Sequence, residues 1–266
     1  MSAIQEEQVY PVQSRTVFVA GRVFIYSALL LWAFVCLFPI YWTVTTSFKT
    51  APNVMQGHIV PWLQFSPDWR GWRSLGLSPD TIFETSTVRE EFLKRFLNSV
   101  ISSVSASALA IVIGSLAAYG LTRYRYQFAW FKNEDISFFF LSQLILPPVV
   151  LALPFLVLYK EVDLLDTRIG LILLYTLMVL PIALPGMVAA FILALVLCWN
   201  EYFFAALLTS TNAKTLPVMV ASQTGSQGIN WWSMAALSAA AIAPLIVIGV
   251  FLERYIVKGL TAGSVK

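Results

Sequence analysis

Charge is scarce in this sequence. Asp, Glu, Lys and Arg make up only 12% of its 266 residues, where a soluble domain carries about a quarter. Too little polar material remains to cover a water-facing globule, so lipid must replace water over most of the surface. Histidine is almost missing: His58 stands alone, which excludes His-rich zinc sites and a Ser-His-Asp triad. The two cysteines, Cys36 and Cys198, lie inside apolar runs and read as small hydrophobes rather than a disulfide or a metal pair. A net charge of +3 provides no basic surface for nucleic acid. There is also no glycine-rich phosphate loop ending in Gly-Lys-Ser or Gly-Lys-Thr.

Apolar residues are what the chain has in quantity, 58% of the total at a mean hydropathy of +0.75. About 20 of them in a row cross a bilayer as a helix. A polar segment, residues 1–22, precedes the first such run and lacks the layout of a cleaved signal peptide, so the run reads as an uncleaved span. That first span is predicted over 23–48. The second, 98–124, is rich in Ser, Ala and Gly, the residues that let helices approach closely in lipid. The third, 136–159, carries Pro147, Pro148 and Pro154 and must kink. A nearly charge-free stretch follows from 169 to 208, and a last span covers 231–252. Residues 49–97 form a segment with Trp62, Trp69 and Trp72, residues suited to anchoring at the lipid interface or to touching a partner. Within it, 87–95 reads as a short amphipathic helix.

Charge orients these spans. Arg15 and Arg22 precede the first, Arg123, Arg125 and Lys132 follow the second, and Arg254, Lys258 and Lys266 follow the last. Placing these clusters in the cytoplasm satisfies the positive-inside rule. Residues 49–97, 160–168 and 209–230 then lie outside, so 169–208 must cross the membrane twice, turning at 181–186. The expected architecture is an all-α integral membrane protein with about six transmembrane helices. That turn, Pro-Ile-Ala-Leu-Pro-Gly, carries no charge at all, which is out of character for a cytoplasmic loop of this chain.

Four motifs in order resemble the permease subunits of binding-protein-dependent ABC importers, specifically the carbohydrate group related to the maltose permease. Asn98-Ser99-Val100 opens a helix that closes as Gly114-Ser115-Leu116-Ala117-Ala118-Tyr119-Gly120-Leu121-Thr122-Arg123-Tyr124. Trp199-Asn200-Glu201-Tyr202-Phe203 is similar to the family's Trp-Asn-Glu signature, and Thr215-Leu216-Pro217-Val218 follows at the usual distance. The ending from Glu253 to Lys266 resembles the family's C-terminal signature almost throughout. The resemblance implies a type I ABC importer permease fold, with a core domain over 98–258 and a cytoplasmic tail over 259–266. One departure stands out. The family's cytoplasmic coupling helix, which docks on the ATPase, has no counterpart between Ile169 and Leu208, as though a few dozen residues were missing between Leu180 and Gly186. Either the segment is absent from the sequence as it stands, or it is deleted in the protein, or the permease couples differently. The last is the weakest reading, since such a permease has no evident way to receive the work of ATP hydrolysis.

The resemblance further implies a non-catalytic subunit of a heterodimer with a second, homologous permease. Two ATPase copies would bind ATP and Mg inside, and a soluble solute-binding protein would deliver a sugar or sugar-like solute outside. Polar groups in spans are expensive and tend to face a bundle interior or a cavity. This singles out Asn98, Gln143, Asn200 and Glu201 as pathway candidates, with Tyr119, Tyr175 and Trp199 as stacking or gating aromatics. The plainer reading is interhelical hydrogen bonding for the polar set and lipid anchoring for the aromatics, and a signature shared across substrates makes Glu201 more architectural than specific. In the tail, Gly259, Leu260, Thr261, Ala262, Gly263 and Lys266 are candidates for ATPase contact. Two other classes compete. A membrane enzyme acting on lipid-linked substrates needs clustered acids or histidines, and an ion-coupled secondary transporter usually shows internal repeats and intramembrane carboxylates. The sequence shows neither pattern.

Overall fold

A computed structural model describes residues 15–84, 86–128, 131–183, 187–225 and 228–261. Eleven helices are described: α1 (Arg15–Thr46), α2 (Ala51–Met55), α3 (Arg70–Arg73), α4 (Thr87–Arg123), α5 (Asn133–Ser142), α6 (Pro148–Glu161), α7 (Arg168–Val179), α8 (Met187–Trp199), α9 (Phe203–Leu208), α10 (Leu216–Ala221) and α11 (Trp231–Thr261). Two minimal hairpins complete the secondary structure, β1 (Gln127–Phe128) with β2 (Phe131–Lys132), and β3 (Thr224–Gly225) with β4 (Gly228–Ile229).

Three helical stretches are long and apolar enough to span a membrane: 28 residues over Val19–Thr46, 37 over Thr87–Arg123 and 22 over Trp231–Leu252. The predicted amphipathic helix at 87–95 is not separate. Ser86 caps α4 by accepting the Arg89 amide, and from there the helix runs unbroken into the span. The third predicted span is broken. A turn over Gln143–Ile145 and the Pro147–Pro148 pair separate α5 from α6, which are bent by 96°. Two consecutive prolines remove two backbone donors, and a kink falls where the ladder is interrupted.

The charge-free stretch differs most from expectation. It forms two short apolar helices, α7 with 12 residues and α8 with 13, rather than two full crossings. Both pack along α4, where serine and alanine keep the surface low. Ala106 and Ala110 of α4 meet Leu171, Tyr175 and Val179 of α7 and Ala194 and Cys198 of α8 in one buried cluster, and the Thr176 hydroxyl reaches the Ala106 carbonyl at 3.4 Å. Ser103 and Ser107 spend their hydroxyls on carbonyls one turn back in α4, at 2.6 and 2.7 Å. They are thus satisfied inside an apolar contact.

The short helix α3 wedges between the end of α1 and the start of α11. A Cβ at Gly71 would stand 2.6 Å from the Trp232 carbonyl oxygen and 2.8 Å from that of Ser47, so only glycine allows this approach. Trp72 donates to the Ser47 hydroxyl at 3.1 Å and Ser74 shares a hydrogen bond with Ser233 at 2.8 Å. Lys49 is sealed just under the surface with its Nζ 3.9 Å from the centre of the Trp42 ring. The three external tryptophans have therefore parted: Trp72 is packed, Trp69 stacks edge-on against Phe48, and Trp62 is exposed.

Candidate functional site

The N-terminal part of α4, the start of α7 and the loop after α9 are joined by a dense polar cluster. Asp166 adopts a left-handed conformation, φ 53°, and its carboxylate accepts the amides of Ser210, Thr211, Asn212 and Ala213 at 2.9–3.1 Å. Desolvation alone would raise this carboxyl, but the four amides outweigh it and hold it well below the usual carboxylate range. The loop so gripped meets Asn98, which is fully buried and donates to the carbonyls of Asn212 and Lys214, both at 2.8 Å. Arg168 donates to the Asn98 side-chain oxygen at 2.7 Å. One residue on, the Ser99 hydroxyl accepts the Leu216 amide at 2.8 Å. The Asn-Ser and Thr-Leu-Pro motifs, over a hundred residues apart in sequence, are thus hydrogen-bonded partners.

The Trp199-Asn200-Glu201 motif ends α8 and splits its three side chains between two places. Glu201 turns back onto α9, accepting the amides of Phe204 at 2.9 Å and Ala205 at 3.1 Å. A carboxylate there satisfies orphan donors of the first turn and complements the helix dipole. Glu201 also borders a void of about 130 Å³ with Tyr175 and Cys198. Trp199 is buried, donates to the Ala241 carbonyl at 3.2 Å and stacks edge-on against Phe96. It forms the floor of an open cleft of about 310 Å³ at the seam of α8, α10 and α11, shared with Asn200, Tyr202, Pro217 and Ser238. Asn200 is exposed, and its amide nitrogen bonds only to the Val196 carbonyl of its own helix.

The other candidates lie elsewhere. Gln143 sits at the bend between α5 and α6, lining an apolar cavity of about 440 Å³ with Phe139, Phe155 and Pro181. Tyr119 is 60% exposed on the far half of α4, away from the cleft. In the tail, Gly259, Leu260 and Thr261 continue α11, while Ala262, Gly263 and Lys266 lie outside the described residues. Sequence reasoning did not single out Asp166, Arg168, Tyr202 or Ser238. Asp166 offered one signal, an acid just before the Thr167 helix cap, and Tyr202 lay within the Trp-Asn-Glu motif. Arg168 and Ser238 carried none.

No family profile matches the chain. Individual relatives do. The trehalose transport system permease protein SugB of Mycobacterium tuberculosis (strain CDC 1551 / Oshkosh) is 28% identical over 271 aligned positions, covering 86% of this chain and 92% of the relative. The inner membrane ABC transporter permease protein YcjP of Escherichia coli (strain K12) is 25% identical over 285, covering 92% and 97%. A crystal structure of a bacterial ABC transporter involved in the import of the acidic polysaccharide alginate superposes with a TM-score of 0.65 over 92% of this chain and 99% of that one, at 16% identity. In sequence and in fold the chain is similar to ABC importer permease subunits over nearly its whole length. Three of its described helices are long and apolar enough to cross the cytoplasmic membrane. The alignment to YcjP spans more positions than this chain has residues, so about 40 positions of the relative fall opposite no residue here. The same bookkeeping gives about 40 for SugB.

Proposed function

We propose that this permease forms half of the pathway for a sugar or sugar-like solute, and that the cleft floored by Trp199 is where the chain meets it. The carrying observation is the cleft's make-up: an aromatic floor, the exposed Tyr202, an amide at Asn200 and a hydroxyl at Ser238. Sugars present apolar CH faces and many hydroxyls, so a surface pairing rings with neutral hydrogen-bonding groups suits them. The relatives' names point the same way, to trehalose, to trehalose/maltose and to diacetylchitobiose. In this reading Asn98 and Glu201 are architectural: Asn98 fixes the external mouth, and Glu201 anchors α9 beside the cleft.

The chain itself is non-catalytic. ATP and Mg are bound by two partner ATPase subunits, a second homologous permease completes the pore, and a soluble binding protein delivers the solute from outside. Closure of the ATPase pair biases the pore between inward-open and outward-open packings. The test is uptake by proteoliposomes holding the reconstituted complex, a panel of labelled sugars and internal ATP. Uptake of one sugar that stops when the ATPase subunits are omitted is expected; uptake that continues without them refutes the proposal.

A further inference from the structure

After α1 the chain makes the short helix α2 and then returns, and the Asp68 amide closes the excursion on the Phe48 carbonyl at 2.8 Å. No Asp, Glu, Lys or Arg occurs from Thr50 to Pro67, whereas Asp68 to Arg95 is dense in acids and bases. This charge-free stretch folds back along α1. The Tyr41 hydroxyl donates to the Ile59 carbonyl at 3.0 Å, and Trp62 and Phe65 line an apolar slot of about 550 Å³ with Val44 and Phe48.

The helix supplies a depth scale. Its apolar stretch Val19–Thr46 has 28 residues, about 42 Å of helix, which matches the roughly 40–45 Å of a bilayer with its headgroup regions. A hydrocarbon core of about 30 Å centred on that stretch leaves about 6 Å at each end. Tyr41 lies about 7–8 Å below Thr46 along the axis, and helical side chains lean toward the N-terminus. The Ile59 carbonyl that it holds is therefore level with the boundary between headgroups and acyl chains.

Irregular backbone at that level must spend its polar groups within the protein. The amides of Gln56, Gly57 and His58 reach the carbonyls of Pro52, Val54 and Asn53 at 2.9–3.2 Å. The Gln64 side-chain oxygen accepts the amides of Ile59 and Val60 at 2.6 and 2.8 Å. Pro61 has no amide to satisfy, and the Trp62 amide donates to the Phe65 carbonyl at 2.8 Å. Every amide from Gln56 to Trp62 is thus partnered. What faces outward is apolar, with Trp62 and Leu63 85% and 82% exposed. Trp62 is held there at φ 60°, a conformation that bulky side chains rarely adopt.

We propose that residues 56–65 form an interfacial flap: Trp62 and Leu63 enter the leaflet at which α1 ends, and the slot behind them takes an acyl chain of a lipid in that leaflet. A tryptophan ring, apolar with one N–H, suits this boundary. The slot is continuous with the α1 surface that the chain itself leaves bare, where Leu37, Tyr41 and Val44 are exposed. Neither flap nor slot carries a charge that could meet one on a protein partner.

Two measurements on the importer with its partner subunits, in lipid vesicles, test the flap. Nitroxide labels go on Leu63→Cys, on Glu84→Cys among the charged residues, and on Leu30→Cys on the bare face of α1, each in a C36A/C198A background. Relaxation by oxygen and by a water-soluble nickel chelate is compared. At 63 the chelate should act at less than about a third of its strength at 84, with oxygen at more than about half its strength at 30. A chelate effect of a third or more places the tip in water and overturns the proposal. Shielding from both relaxers means that another chain covers the tip, which overturns it equally. The second measurement needs no cysteine. Emission lost in Trp62→Phe is assigned to Trp62, in vesicles whose acyl chains carry bromines near the headgroup or near mid-chain. Bromines near the headgroup should quench that emission at least about twofold more than those at mid-chain; a smaller difference or no quenching overturns the proposal. Neither readout involves a solute, so failed sugar uptake would remove the proposed function and leave the flap standing.

Discussion

Replacing Asp166 by asparagine removes one charge from the external mouth and little else. Asparagine tolerates the left-handed backbone that Asp166 adopts, so strain is unchanged and the carboxylate is isolated as the variable. Its two oxygens accept four backbone amides and the Ser210 hydroxyl. A hydrogen bond to a charged group is worth about 1.5–3 kcal/mol, against about 1 for a neutral one. The amide retains one acceptor oxygen and presents an NH2 to donors. Discounted for partial exposure, the expected loss is about 2–3 kcal/mol. In a chain of this size that lowers the melting temperature by roughly 4–10 °C, readable from tryptophan emission in detergent or nanodiscs. The pH dependence gives a second check. The folded carboxyl lies below its unfolded value, so its contribution is complete above about pH 4–5 and fades as pH falls further, through the depressed folded pKa. Wild type should therefore lose stability between pH 5 and pH 3 by more than Asp166→Asn does. A variant that melts within 1 °C of wild type, with the same acid slope, would refute the reasoning.

Gly71→Ala should destabilise by about 1–3 kcal/mol, because the new methyl meets two backbone oxygens that cannot step aside; a thermal melt checks it. Asn98→Ala should cost more, about 3 kcal/mol or above, since it strips partners from two carbonyls and from Arg168 in a buried setting. Asn200→Ala should behave oppositely, cutting sugar uptake about tenfold with the melt unchanged, because its only bond lies within its own helix; a stability loss matching that of Asn98→Ala would make it architectural. Lys49 is shielded by rings without an acid beside it, and burial lowers its pKa. Lys49→Met should therefore raise stability at pH 7, by an amount that shrinks as pH climbs and vanishes only above the unfolded value of 10.5, where the wild-type amine is neutral in both states.

Much of this molecule was legible beforehand because lipid enforces simple rules. The long spans at Val19–Thr46, Thr87–Arg123 and Trp231–Leu252 follow from apolar length alone. The charge-free turn at Pro181 was flagged by composition, and the fold shows the helices on either side of it to be only 12 and 13 residues long. The sequence could not reveal which polar residues pair. Asn98 resembled a pathway amide as much as Asn200 did, and only the fold shows one locked under Asn212 and Lys214 and the other facing an open cleft. Asp166 was overlooked because its value lies in four backbone amides contributed by a loop some 45 residues away, and backbone donors leave no mark in a sequence. The Pro147–Pro148 break announced a kink but not its size, since 96° depends on what α6 packs against.

The first helix has one more consequence, for how its sequence is free to vary. The apolar window of α1 is 0% buried within the chain, and the buried residues lie at its end, where Thr45, Thr46, Ser47 and Lys49 enter the layer that holds α3. Where lipid is the only neighbour, apolar side chains of different shape are nearly interchangeable. Scrambling the order of residues from Val23 to Leu37 should then leave the isolated subunit folded, whereas one arginine at its midpoint should not be accommodated. Any position in that window that proves intolerant of a leucine-to-valine exchange in the assembled importer is thereby identified as touching another chain.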